Sequence, residues 1–187
     1  MPFCFREAII DRTSTTHYDF SIRTVRSTMN ETALREQLSN LLSWHDAHAD
    51  WESALKDFPV KHYATKPPSA PHSAWELLEH VRIAQADILE FCRNAKHVSP
   101  EWPAEYWPKS AGPLNPVSWE KSLKSFEDDL KALRALVTNP KIDLMAPIPH
   151  GTGQTILREV LLVADHSSYH LGQFVQLRRM LGDWKIQ

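Results

Sequence analysis

Glycine is scarce in this chain of 187 residues, with five against thirteen prolines. That scarcity excludes Gly-rich phosphate loops and argues against a sheet-rich fold with many tight turns. Cysteine is scarcer still. Cys4 and Cys92 are too few and too unevenly placed for a disulfide framework. Cys92 sits in an apolar helical stretch and reads as a buried free thiol, which makes a reducing cytoplasm the expected compartment. No apolar run approaches the ~20 residues of a transmembrane helix. Residues 1–28 lack a signal-peptide core, because Ile9-Ile10 is followed at once by Asp11 and Arg12. The formal net charge of -2 leaves no strong field of either sign. Composition therefore offers no case for nucleic-acid or membrane partners.

What the chain does have is histidine and tryptophan, ten and seven respectively, in an otherwise ordinary globular composition. The length suggests one domain with a core that needs no staples. Residues 1–28 show no helical stripe and are expected to be a disordered leader, or else Met29 is the native start; residues 29–187 form the domain.

Apolar residues at three- and four-residue steps mark four helices. The first is expected at about Glu31–Asp57, with Leu34, Leu38, Leu41, His45, His48 and Leu55 on one face. The second opens on Ser73-Ala-Trp-Glu76, a capping box in which serine and glutamate each satisfy an unpaired terminal amide. Leu77, His80, Ala84, Ile88 and Phe91 follow on one stripe. The third, at about Val117–Thr138, carries Trp119, Leu123, Phe126, Leu130, Leu133 and Val137. The fourth begins at the N-cap candidate Thr155 and carries Leu162, His166, His170, Phe174, Leu177 and Leu181, with Gly182 at its end. The fold class is all-α, a four-helix bundle. Between the second and third helices lies a long segment rich in proline and aromatics, Lys96–Asn115. A helix of ~22 residues is ~33 Å long, whereas twenty extended residues reach ~65 Å, so this loop can cross the bundle and leave its flanking helices parallel.

His166 and His170 lie four apart, so their imidazoles project from one helix face and can converge on one ion. His80 points inward from the second helix, giving a three-ligand set with open positions for water. Spacing alone leaves the alternative open that these are core histidines with other hydrogen-bond partners. His45 and His48 face inward by spacing and are candidates for substrate contact or acid–base work, or are core histidines. Glu159, two turns before His166, and Asp87, two turns after His80, are candidate bases or partners that orient a ligand histidine, or surface carboxylates. Trp102, Tyr106 and Trp107 are expected either to close over the site or to pin the long loop; as a lid they would govern substrate access rather than metal affinity. His97 is the one candidate ligand near that segment. Arg178-Arg179 reads as a solvated face, and His62 and His72 as histidines off any inward stripe.

The segment Ser73-Ala-Trp-Glu-Leu-Leu-Glu-His80-Val-Arg-Ile-Ala-Gln resembles the second-helix motif of the DinB/YfiT-like family, whose members are taken for metalloenzymes. Thr155-Ile-Leu-Arg-Glu and Asp165-His166-Ser-Ser-Tyr-His170-Leu-Gly-Gln resemble its fourth-helix motif. The family shares a name with an unrelated lesion-bypass polymerase, of which no motif is present. The resemblance covers about Glu31 to Trp184. It implies a four-helix bundle with an up-down-down-up course and a metal triad on His80, His166 and His170. It also implies transfer of a low-molecular-weight thiol to an electrophilic small molecule, and a homodimer, for which the tryptophan excess is a second motive. The alternatives are hydrolysis by metal-activated water and a non-catalytic metal-binding bundle. Imidazole ligands suit zinc or nickel first, and iron or copper as well.

Overall fold

The computed structural model describes residues 18–43 and 46–184, with side chains from residue 30 onward. Every regular element among them is helical: α1 Tyr18–Leu41, α2 Trp51–Leu55, α3 Ala74–Arg93, α4 Pro116–Thr138 and α5 Ile156–Met180. Two single 3-10 turns, Val60–His62 and Ala104–Tyr106, interrupt the connections. None of these helices is long and apolar enough to cross a membrane.

Two compact units are distinguished, Met1–Arg35 and Glu36–Gln187. In the first, Arg35 donates from Nε and Nη2 to Glu31 Oε1 one turn earlier, at 3.1 and 2.6 Å. The second holds α2, α3, α4 and α5.

The expected first helix, Glu31–Asp57, is corrected on two counts. Helical backbone begins already at Tyr18, and it stops at Leu41. A separate short helix restarts at Trp51, where the Asp50 carboxylate accepts from Ser53 N at 2.8 Å. Asp57 then takes a positive φ of 52° and turns the chain away. Sequence periodicity runs on through the break because Leu55 stays in phase, although Asp50 is an N-cap signal for a new helix.

The other three helices stand where the apolar stripes put them, and their ends have local causes. At α3 both halves of the capping box are present: Glu76 N reaches Ser73 Oγ at 3.2 Å and Ser73 N reaches Glu76 Oε2 at 2.7 Å. Such a cap is worth about 1 kcal/mol. Asn115 caps α4 through Ser118 N at 3.0 Å, with Pro116 at the first helical position, where its missing N–H costs nothing. Thr155 caps α5 through Arg158 N at 3.2 Å.

α3 packs on α4 and α5, and the Gln85 side-chain amide donates to the Phe126 carbonyl at 2.8 Å across the first of these contacts. One end of the core is aromatic. Trp119 stacks on Tyr63 at 4.0 Å between ring centres, and Trp51 meets Phe126 and Phe174 edge-on at 5.6 Å each. Three of the seven tryptophans, Trp51, Trp75 and Trp119, are buried in this core.

The expected solvated pair Arg178-Arg179 splits. Arg179 is exposed, but Arg178 is buried at 7% exposure. Its Nη1 donates to the carbonyls of Ala54 and Lys56 at 2.7 and 3.0 Å, and its Nη2 reaches the Asp183 carboxylate at 2.8 Å. The guanidinium also lies 5.3 Å from the Phe58 ring centre. An arginine at a helix C-terminus thus fastens α2 and the chain beyond α5 to one point.

Candidate metal centre

Two helices supply the three histidines. His80 sits one and a half turns into α3, and His166 and His170 stand one turn apart on α5. One ligand nitrogen from each lies within 4.8 Å of the other two, and this is the one such group among the described residues. His166 Nε2 and His80 Nε2 are 3.1 Å apart. Ring centres are 4.5 Å apart for His80–His170 and for His166–His170. Two nitrogens bound to one tetrahedral zinc ion at ~2.1 Å would be about 3.4 Å apart, so the cluster needs little movement to take an ion.

The protons on two rings are fixed by their neighbours. His80 Nδ1 is 2.8 Å from the Tyr106 carbonyl, which can only accept, so Nδ1 carries the hydrogen and Nε2 presents its lone pair to the cluster. His170 Nδ1 is 2.9 Å from Gln173 Oε1, which fixes its tautomer in the same sense. Outer bonds of this kind orient metal-binding imidazoles. The ring of Trp107 lies flat on His80 at 3.9 Å and 2°, and His72 stacks on Trp107 at 4.0 Å.

Burial sets the charge state. It pushes His166 and His170 down to about 4, and the neighbouring imidazoles add to the effect. His80 is lowered as well, chiefly by burial; the bond to the Tyr106 carbonyl opposes this and His72 reinforces it. All three are neutral at pH 7, as metal ligation requires. A histidine held below its ordinary value leaves the unfolded chain taking up protons that the folded one refuses. The metal-free protein is therefore expected to lose stability as pH falls from about 6.5 towards 4, and to keep that stability in full above this window. Ring-proton titration by NMR checks the cause: midpoints for His166 and His170 at the ordinary histidine value would contradict it.

The other expected site residues are dispersed. His45 lies outside the described residues. His48 does not face inward: it is exposed, in a bend rather than a helix, with Nδ1 2.7 Å from the Ala49 carbonyl. Glu159 is not a surface carboxylate but is 3% exposed and paired with Arg158 Nη1 at 2.7 Å. It stands about 10 Å along α5 from His166, two turns away. Asp87 does not touch a ligand histidine; it holds His97 Nε2 at 2.7 Å and the Tyr106 hydroxyl at 2.6 Å. His72, expected to be unconnected with the site, is part of its stack. Trp102 is 70% exposed and meets Tyr106 edge-on at 5.2 Å.

The long loop thus takes part in the cluster, since its Tyr106 carbonyl holds the His80 ring. Gln173 was visible in the sequence, three residues after His170 and so on its face of the helix. The Tyr106 carbonyl and the His72 stack have no sequence signal, because both depend on where the loop lands. An open groove of about 1400 Å³ runs past Trp51, Phe126 and Ser167, but none of the three histidines lines it.

The DinB superfamily model matches residues 43–174, most of the chain and all of the triad. The chain belongs to the DinB superfamily. No curated protein and no solved structure matches it. In this DinB-superfamily chain the three histidines are thus both the spatial cluster able to hold a metal and part of the matched region.

Proposed function

We propose that His80, His166 and His170 hold one divalent metal ion and that the protein uses it to transfer a low-molecular-weight thiol to a small electrophile. The convergence of three ring nitrogens from two helices within 4.8 Å carries the metal reading. Bound there, a divalent ion supplies Lewis acidity and favours a thiolate at neutral pH. Zinc and nickel suit the donors, and iron and copper accept them too.

The donor set favours an anion at the ion, a thiolate as readily as hydroxide, and the surroundings decide between them. Three neutral imidazoles leave the ion's charge uncompensated. The hydrogen-bond partners of the three rings are the Tyr106 carbonyl, the Gln173 amide oxygen and one another, none of them a carboxylate. A hydrolase would be served by a nearby base, and Glu159, the carboxylate expected in that role, is turned to Arg158. In the transfer the thiol S–H bond breaks and its proton goes to solvent. A C–S bond forms while the electrophile's leaving group departs with its electron pair. Trp107 covers one face of His80, and the exposed Tyr169 meets His170 edge-on at 4.9 Å, so the approach is walled by aromatics. For the fold we infer the up-down-down-up course, on the length of the connection at residues 94–115.

The test is turnover by protein loaded with zinc or nickel, offered several thiols with electrophiles beside ester and amide substrates. Turnover that requires a thiol is the expected result. Ester turnover without thiol would replace the transferase reading with hydrolysis. No turnover at a full equivalent of metal would leave a non-catalytic metal-binding bundle.

A further inference from the structure

Asp87 stands two turns after His80 on α3, about 10 Å along the helix axis. It touches none of the three histidines, yet its contacts lead back to one. Oδ1 accepts from His97 Nε2 at 2.7 Å, at the start of the long loop. Oδ2 accepts from the Tyr106 hydroxyl at 2.6 Å, in the loop's 3-10 turn. The side chains of Asp87 and His97 are only 13% and 18% exposed, and Tyr106 is buried, so these bonds are sheltered from competing water. Tyr106 is therefore held at both ends: its hydroxyl on Asp87, its carbonyl on His80 Nδ1. The next residue, Trp107, lies flat on the same imidazole.

We propose that Asp87 is a positioning residue for the metal centre: by clamping Tyr106 to α3 it fixes the carbonyl that holds His80 in the Nδ1–H tautomer, with Nε2 turned to the other two histidines. This rests on the metal reading of the site. The physical reason for such a device is plain. Neutral imidazole has two tautomers, and only one presents a lone pair at Nε2. A carbonyl on a proline-rich loop selects that tautomer only if the loop is pinned. A helix side chain that binds the loop at two points, His97 and Tyr106, pins it without occupying the site.

The experiment compares wild type with Asp87→Ala, Asp87→Asn, Tyr106→Phe and the pair Asp87→Ala/Tyr106→Phe. Asp128→Ala, an exposed carboxylate on α4, serves as control. Two readouts are taken: ring nitrogen shifts of His80 in the metal-free protein, and the zinc dissociation constant by chelator competition. Asp87→Ala and Tyr106→Phe are each expected to mix the His80 tautomers and to weaken zinc binding by about 10–100-fold. The pair should be no worse than Asp87→Ala alone, since the alanine already removes the acceptor of the tyrosine hydroxyl. Asp87→Asn keeps an oxygen for the tyrosine hydroxyl and should recover part of the loss. Tyr106→Phe retains the buried ring, so it keeps the test valid if Asp87→Ala loses helicity by circular dichroism. An unchanged His80 tautomer and zinc constant in Tyr106→Phe overturns the proposal, as does a loss shared equally by Asp128→Ala. If zinc binds tightly and alike to all variants, the positioning role fails and the metal reading stands. If wild type binds no zinc while the His80 tautomer still follows Asp87, the positioning role stands and the metal reading fails.

Discussion

Replacing His170 by alanine is expected to strip the protein of nearly all its bound metal. The site would keep one ligand on α3 and one on α5, and two imidazoles rarely compete with solvent and chelators for a divalent ion. His80→Ala should be as damaging, because it leaves only the pair on α5 and frees that helix from α3 at this point. The expected loss of affinity is about 100-fold or more, beyond the 10–100-fold typical of an outer partner. A double change should add little to either single one, since residues that act on one ion are not independent. His62→Ala is the proper control. His72 is not, because it stacks on Trp107, which stacks on His80. Metal content by elemental analysis, on variants shown to be folded, decides the matter. Triad variants that retain a full equivalent of metal, or a His62 variant that loses it as readily, would refute the three-histidine site.

The triad was legible in the sequence because each part of it is local. Four-residue spacing on α5 and a capped, in-phase His80 on α3 are both facts about single helices. The parts that failed are those set by the path of irregular chain. His48 keeps helical phase in the sequence, but α1 stops at Leu41 and helix restarts only at the Asp50 cap. No periodicity reaches His72, which stacks on Trp107 from an irregular segment. Asp87 stands on the histidine face by spacing, but its partners come from the loop, and a loop's landing point is fixed by tertiary contacts that no spacing encodes.

A second large effect is expected far from the histidines. Arg178→Ala should destabilise the fold by about 3 kcal/mol, while Arg179→Ala should stay within about 0.5 kcal/mol. Arg178 is buried and satisfies the carbonyls of Ala54 and Lys56 together with the Asp183 carboxylate. Removing it strands buried acceptors and a charge, each of which carries a desolvation penalty. Its Nε has no partner, which already subtracts something from its worth. Urea unfolding of the two variants beside wild type gives the comparison; equal midpoints for Arg178→Ala and Arg179→Ala would show that the arginine is no anchor. The sequence hid this because an Arg-Arg pair in the last turn of a helix is also what a favourable helix dipole would select. Only the carbonyls of the short helix α2, far off along the chain, reveal which of the two turns inward.

That anchor has a kinetic side. The residues it joins, Ala54 and Arg178, are 124 positions apart. A chain made from its N-terminus exposes the α2 segment long before the guanidinium that will bind its carbonyls exists. Until then those carbonyls stay hydrated, and the aromatic cluster around Phe58 lacks the side chain that closes it. Contacts of such long sequence separation carry the largest loop-closure cost and form late in folding. The last turn of α5 is thus the natural final step of assembly, and the α2 segment the part of the protein exposed longest on the way to it.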